Sequence, residues 1–291
     1  MATLRDIKSR IKGVQSTQQI TKAMKMVAAA KLRRAQENII NARPYANRIS
    51  ELLSHLVTDN DLLTNPYLIQ REIKNAAVVV VTADRGLCGS FNTNLIKEAQ
   101  TYIKEEFQDK NINYKIFCVG KKGFDFFSKR DYPVMDKYTG LFSTLAYEDG
   151  LRITRKLINS FLSGEIDKVV IVYNEFKSII QQKITISEYL PVPVSGNDQQ
   201  ASLSEYYIFE PDQKGIFEYL LPKHLKAQMW RVLLESNAAE LGARMTAMDN
   251  ATTNASELIR TLRLKYNKER QAAITKEILE IVSGANALRA D

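Results

Sequence analysis

Two cysteines, two histidines and one tryptophan leave this 291-residue chain little material for redox, metal or general-base chemistry. Cys88 and Cys118 have the spacing of neither a disulfide framework nor a metal site, and they suit a reducing compartment. His55 and His224 lie far apart in sequence and read as surface or packing residues. No run of about 18 apolar residues occurs, so no segment is expected to span a membrane. The N-terminus lacks the apolar core of a signal peptide. An amphipathic transit peptide is the other reading of that basic start, but the start runs unbroken into a long periodic helix. Acidic residues are almost missing from the first 34 positions, where Asp6 stands alone.

What is there begins with charge. Nine of the 41 basic residues fall within residues 1–34, against one of the 33 acidic ones, so the remainder is balanced at 32 of each. Arg5, Lys8, Arg10, Lys12, Lys22, Lys25, Lys31, Arg33 and Arg34 form a helix with few acids to pair them. The bland reading is a solvated face. The imbalance favours an acidic partner, which could be nucleic acid, anionic lipid or an acidic protein surface.

Helical periodicity runs from Thr3 to about Val57. Thr3 and Asp6 read as a capping box with Asp in place of Glu. Leu4, Ile7, Ile11, Val14, Ala28, Leu32, Ala35, Ile39, Ala42, Ala46, Ile49, Leu53 and Leu56 recur at steps of three and four, the seam of a coiled coil. Pro44 should kink this helix rather than stop it. Between Val14 and Ala28 the seam positions fall on Gln18, Thr21 and Lys25. Three polar residues there are either a register device or a change of partner. On the residues alone both stay open; a resemblance carried by the whole chain favours the second, a face turned outward.

The period then changes. The apolar runs 76–82, 115–119 and 168–173 suit strands buried on both faces, and 183–189 alternates like an edge strand. Helices are expected at 93–107, 122–129 and 147–162. Residues 194–212 read as a loop with one short strand near Tyr207–Phe209. From about Gly215 the helical period returns, with Leu234, Ala238, Leu241, Met245, Met248, Thr252, Ala255, Ile259, Leu262 and Tyr266 on its stripe. An eight-residue step from Tyr266 to Ile274 replaces the expected seven. The predicted fold class is α/β: a long antiparallel two-helix coiled coil of the terminal helices plus a central Rossmann-like domain. The expected divisions are 1–58, 70–212 and 213–291. Helix lengths of about 55 and 73 residues leave roughly 18 residues unpaired at the C-terminal end, starting near Arg270. Carrying Ile274, Ile278, Leu279, Ile281 and Val282, that overhang requires an enclosing partner.

After the first strand comes Asp84-Arg-Gly-Leu-Cys-Gly89, followed by a helix. Its position suits a phosphate loop, but the glycine spacing matches neither phosphate-loop pattern. The favoured reading of Asp84, Arg85, Gly86, Cys88 and Gly89 is a tight turn with glycine at positive φ. No nucleophile–base, paired-carboxylate or metal-ligand set is recognisable. No cofactor is expected.

Seven segments carry a resemblance. They are Ala2 to Ile11, Ile20 to Leu32, Arg43-Pro-Tyr45, Asp84 to Gly89, Phe209-Glu-Pro-Asp212, Ala243 to Thr252 and Tyr266 to Ile278. Across essentially the whole chain they resemble the gamma subunits of F-type ATP synthases. The resemblance implies a non-catalytic rotor shaft, one per complex, inside a hexamer of alpha and beta subunits. It implies a foot resting with epsilon on the c-ring, peripheral to the cytoplasmic face of the plasma membrane, with membrane contact only through that ring. By position Lys22, Met24, Lys25 and Met26, with Arg270, Gln271 and Thr275, resemble contacts with beta. Phe209 and Glu210 resemble contacts with the ring. The regulatory insertion and cysteine pair of photosynthetic relatives are missing, so thiol control of rotation is not implied. Nucleic-acid binding would explain the basic helix but not the overhang. An amphipathic membrane-surface helix conflicts with a stripe already committed to a partner helix.

Overall fold

The computed structural model describes residues 3–57, 64–179, 181–193, 210 and 212–287. In chain order these form α1 (Leu4–Leu56), β1 (Asn75–Val81), α2 (Phe91–Ile103), β2 (Asn113–Val119), α3 (Lys121–Phe127), β3 (Val134–Tyr138), α4 (Tyr147–Leu162), β4 (Lys168–Phe176), β5 (Gln182–Leu190) and α5 (Gln213–Ala287). By internal packing the chain divides into two units, Met1–Val27 with Met245–Asp291, and Ala28–Arg244.

The larger unit is built on one sheet of order β3-β2-β1-β4-β5, parallel except for β5, which runs antiparallel to β4. β1 sits at its centre because Val78, Val79, Val80 and Val81 are apolar and fully buried, as a strand covered on both faces requires. Alternate residues feed two cores. Val78 and Val80 join Leu95, Ala99 and Ile103 of α2. Val79 and Val81 join Ile153, Leu157 and Phe161 of α4, Ile49 and Leu53 of α1, and Phe217, Leu221 and Leu225 of α5. β1, β2, β4 and β5 lie where the apolar runs and alternation place them.

β3 is an addition. Only five residues long, with Asp136 and Lys137 inside it, this edge strand carries too little apolar pattern to announce itself. α1 passes through Pro44 without stopping. The predicted short strand at Tyr207–Phe209 lies outside the described residues.

Glu235 of α5 is fully buried and sits between Arg231 (2.9 Å) and Arg43 of α1 (3.4 Å). Arg43 also donates to the carbonyl of Phe176 at 3.2 Å, so one guanidinium ties α1, β4 and α5 together. Removing one partner of such a buried pair is costly, because the remaining charge stays desolvated.

In the smaller unit α1 starts with a reciprocal cap. The Thr3 N–H donates to the Asp6 carboxylate at 2.9 Å, and the Asp6 N–H donates to the Thr3 hydroxyl at 3.3 Å. These bonds, the backbone one foremost, hold the Asp6 carboxyl below its ordinary pKa. Ile7 of α1 and Met248, Ala255, Ile259 and Leu262 of α5 are buried along the seam.

Candidate functional site

The interruption in the α1 seam is a ladder of polar contacts to α5. The Gln18 amide donates to the Ser256 hydroxyl at 2.5 Å, Thr21 and Thr252 share a hydroxyl contact of 2.8 Å, and the Lys25 ammonium meets the Asp249 carboxylate at 2.6 Å. Residue numbers rise on one helix as they fall on the other, so the helices run antiparallel. Thr21 is buried. This corrects the outward-face expectation: the polar seam residues face α5. The reason is that α5 offers Asp249, Thr252 and Ser256 at matching heights. Sequence reading placed Thr252 on the α5 stripe but did not align the two stripes, which would have exposed the match.

The other α1 candidates are placed by the same helical phase. Lys22 is exposed, Met24 and Lys25 are half-buried, and Met26 is 60% exposed. Ile20 and Val27 add further exposed apolar surface. On α5, Arg270, Gln271 and Thr275 are exposed, as is every residue from Arg270 to Ser283. Ile274, Ile278, Leu279, Ile281 and Val282 therefore stand in water, 49–66% exposed, where the overhang arithmetic placed them. Glu210 is exposed, while Phe209 lies outside the described residues.

The Asp84–Gly89 loop follows β1 at the point where the strand order reverses, the place where open α/β sheets bind ligands. Here protein groups occupy it. The Asp84 carboxylate accepts from the backbone N–H groups of Lys121 (3.0 Å), Gly140 (2.7 Å) and Phe142 (3.2 Å), standing where an anion would. Arg244 of α5 donates to the Gly86 carbonyl at 2.7 Å and pairs with Glu240. Burial pushes the Glu240 carboxyl up, opposed by that guanidinium. Cys88 is buried, and burial raises its thiol pKa. Arg85 is exposed. The left-handed residues of this loop are Leu87 (φ 64°) and Gly89 (φ 60°).

An open cleft of about 590 Å³ lies between α1 and α5, lined by Asn38, Asn41, Tyr45, Tyr147, Trp230 and Leu234 among others. Among the described residues that line it there is no carboxylate, histidine or cysteine to make an acid–base pair. Among the described residues no group of His, Cys, Asp and Glu could hold a metal ion, and no helix is long and apolar enough to cross a membrane.

Residues 3–288 match the family model described as ATP synthase. The gamma chain of the ATP synthase of Chlorobaculum tepidum is 52% identical over 292 residues, covering 99% of this chain and all of that one. The gamma chain of Chloroherpeton thalassium is 52% identical over 300 residues, 99% of each. Among solved structures, a chain of the Euglena gracilis mitochondrial ATP synthase (OSCP/F1/c-ring) superposes with a TM-score of 0.68 at 21% identity, covering 99% of this chain and 95% of that one. A chain of the Tetrahymena thermophila central stalk and c-ring gives 0.62 at 24% identity, covering 80% and 99%. With a family match from end to end and half its residues shared with full-length relatives, the chain belongs to the ATP synthase gamma chain family.

Proposed function

We propose that this chain is the central shaft of a rotary ATP synthase, a non-catalytic subunit linking c-ring rotation to the beta subunits' ATP synthesis and, in reverse, hydrolysis. The observation that carries the reading is the bare apolar helix from Arg270 to Ser283. Such a surface needs a sleeve. A hexamer of alternating alpha and beta subunits provides one, and epsilon and the c-ring then meet the α/β unit through Phe209 and Glu210. The chain associates with the cytoplasmic face of the plasma membrane only through that ring.

An off-axis pair of helices meets each of three identical beta subunits with a different face. Opening a site that is almost always closed requires a differential of about 5.5 kcal/mol between faces. Lys22, Met24 and Met26, outside the seam, suit contacts that break and re-form as the shaft turns, and Arg270, Gln271 and Thr275 suit a second set higher up. Lys25 belongs to the first set with its charge already shared with Asp249. The Asp84–Gly89 loop holds the foot's shape and binds no nucleotide.

Two measurements test this. A tagged chain should co-purify alpha and beta subunits in several-fold excess over itself. Replacing Lys22, Met24 and Lys25 together should lower protons pumped per ATP hydrolysed in membrane vesicles. Unchanged coupling removes that segment from the mechanism.

A further inference from the structure

We infer that Asp249 is a positioning residue: it ties Lys25 to α5 and, with the Thr21–Thr252 and Gln18–Ser256 contacts, keys the two helices in one register where the apolar seam is interrupted. Nothing in the proposed coupling contacts assigns Asp249 a part. Three observations carry the inference. The contacts occupy three successive seam levels and stay in step, since each α1 position meets an α5 position displaced by the same helical progression. The middle contact is partly buried, with Thr21 itself buried, so it discriminates among partners more than the exposed contacts on either side of it. A slip of one heptad, seven residues, has no good alternative. It would set Thr21 opposite Ile259 or Met245, and Lys25 opposite Ser256 or Gly242.

The exposed ion pair adds little stability, with 39% of the Lys25 and 53% of the Asp249 side chain open to solvent. Its value is directional. It rejects a like charge at this level, and it withdraws the Lys25 ammonium from acidic partners, leaving exposed Lys22 as the cation presented by this turn. A twist of one helix against the other must break all three contacts together, so load on α1 passes to α5 here. That last step rests on the shaft reading; the register itself does not.

The experiment is a charge exchange in the assembled complex. Lys25→Asp and Asp249→Lys each set like charges face to face, and each should lower protons pumped per ATP hydrolysed. A disulfide between Thr21→Cys and Thr252→Cys, introduced into the same backgrounds, reports register directly. Its formation should slow about fivefold in each single variant. The exchange variant Lys25→Asp/Asp249→Lys should restore both readouts. If it is as uncoupled as Lys25→Asp alone, the Lys25 charge serves a partner subunit and the inference fails. Wild-type behaviour of both single variants overturns it as well. Should a reversed charge prevent assembly, Asp249→Asn keeps the question open to measurement, with an intermediate disulfide rate supporting the inference and a wild-type rate refuting it. The disulfide reads the coil alone. A full disulfide response in a chain that captures no alpha or beta subunits upholds Asp249 and counts against the shaft instead.

Discussion

At the scale of single residues, His224 and Gly120 make the sharpest demands. Burial lowers the His224 imidazole from 6.5 to about 4, and its Nδ1 has no hydrogen-bond partner. The folded state therefore binds this proton less tightly than the unfolded chain. Stability is intact above about pH 6.5 and falls as pH drops towards 4, by about 3 kcal/mol. His224→Gln should flatten the decline in urea midpoint between pH 7 and pH 5; an equally steep decline would assign it to other groups. Gly120 sits at φ 91°, with a Cβ position 2.0 Å from the Thr82 carbonyl oxygen. Gly120→Ala should cost about 3 kcal/mol or more, seen as a lower urea midpoint, because neither the backbone nor its neighbour can yield. Glu235→Ala leaves Arg43 and Arg231 facing a cavity, and the expected loss of about 3 kcal/mol would appear in the same titration.

Among elements, the pairing of α1 with α5 is the most informative. The Thr21 hydroxyl oxygen also lies 3.0 Å from the Gln18 carbonyl, and that of Thr252 2.7 Å from the Met248 carbonyl, so each can donate its one proton within its own helix instead. Either hydroxyl can fall back on its own helix, so Thr21→Val or Thr252→Val should cost only about 1 kcal/mol. The double variant should cost less than the sum of the two, a coupling that thermal unfolding of the four-member cycle measures. The sequence made the elements legible wherever periodicity was long. The α1 seam, the valine run of β1 and the stripe of α5 each repeat one signal many times. Contacts between elements carry no such repeat. The interrupted seam was visible, yet its partners lie more than 220 residues away, and only aligning two stripes antiparallel would have shown a ladder rather than an outward face. The Arg43–Glu235 pair and the left-handed Leu87 were invisible for the same reason: each is set by tertiary surroundings rather than local pattern.

For the whole molecule, the exposed stretch from Arg270 to Ser283 predicts how the isolated chain behaves. Ile274, Ile278 and Ile281 in water should drive self-association, visible as a concentration-dependent mass in sedimentation equilibrium. Replacing the three by Gln should leave a monomer whose urea midpoint is unchanged, since none of them packs on the chain itself. The same variant should capture fewer alpha and beta subunits. A variant that still self-associates would locate the sticky surface elsewhere, with the Ile20, Met26 and Val27 patch the next place to look. The ladder between the two ends also sets a schedule for biosynthesis. Gln18 and Ser256 are 238 positions apart, so a ribosome adding 5–20 residues per second needs roughly 12–50 s between making one and making the other. Throughout that interval the first helix has left the tunnel with its apolar stripe unmatched, and the sheet of the larger unit is completed before its closing partner exists. A nascent chain stalled before residue 249 therefore exposes a helix that only the last part of the message can cover.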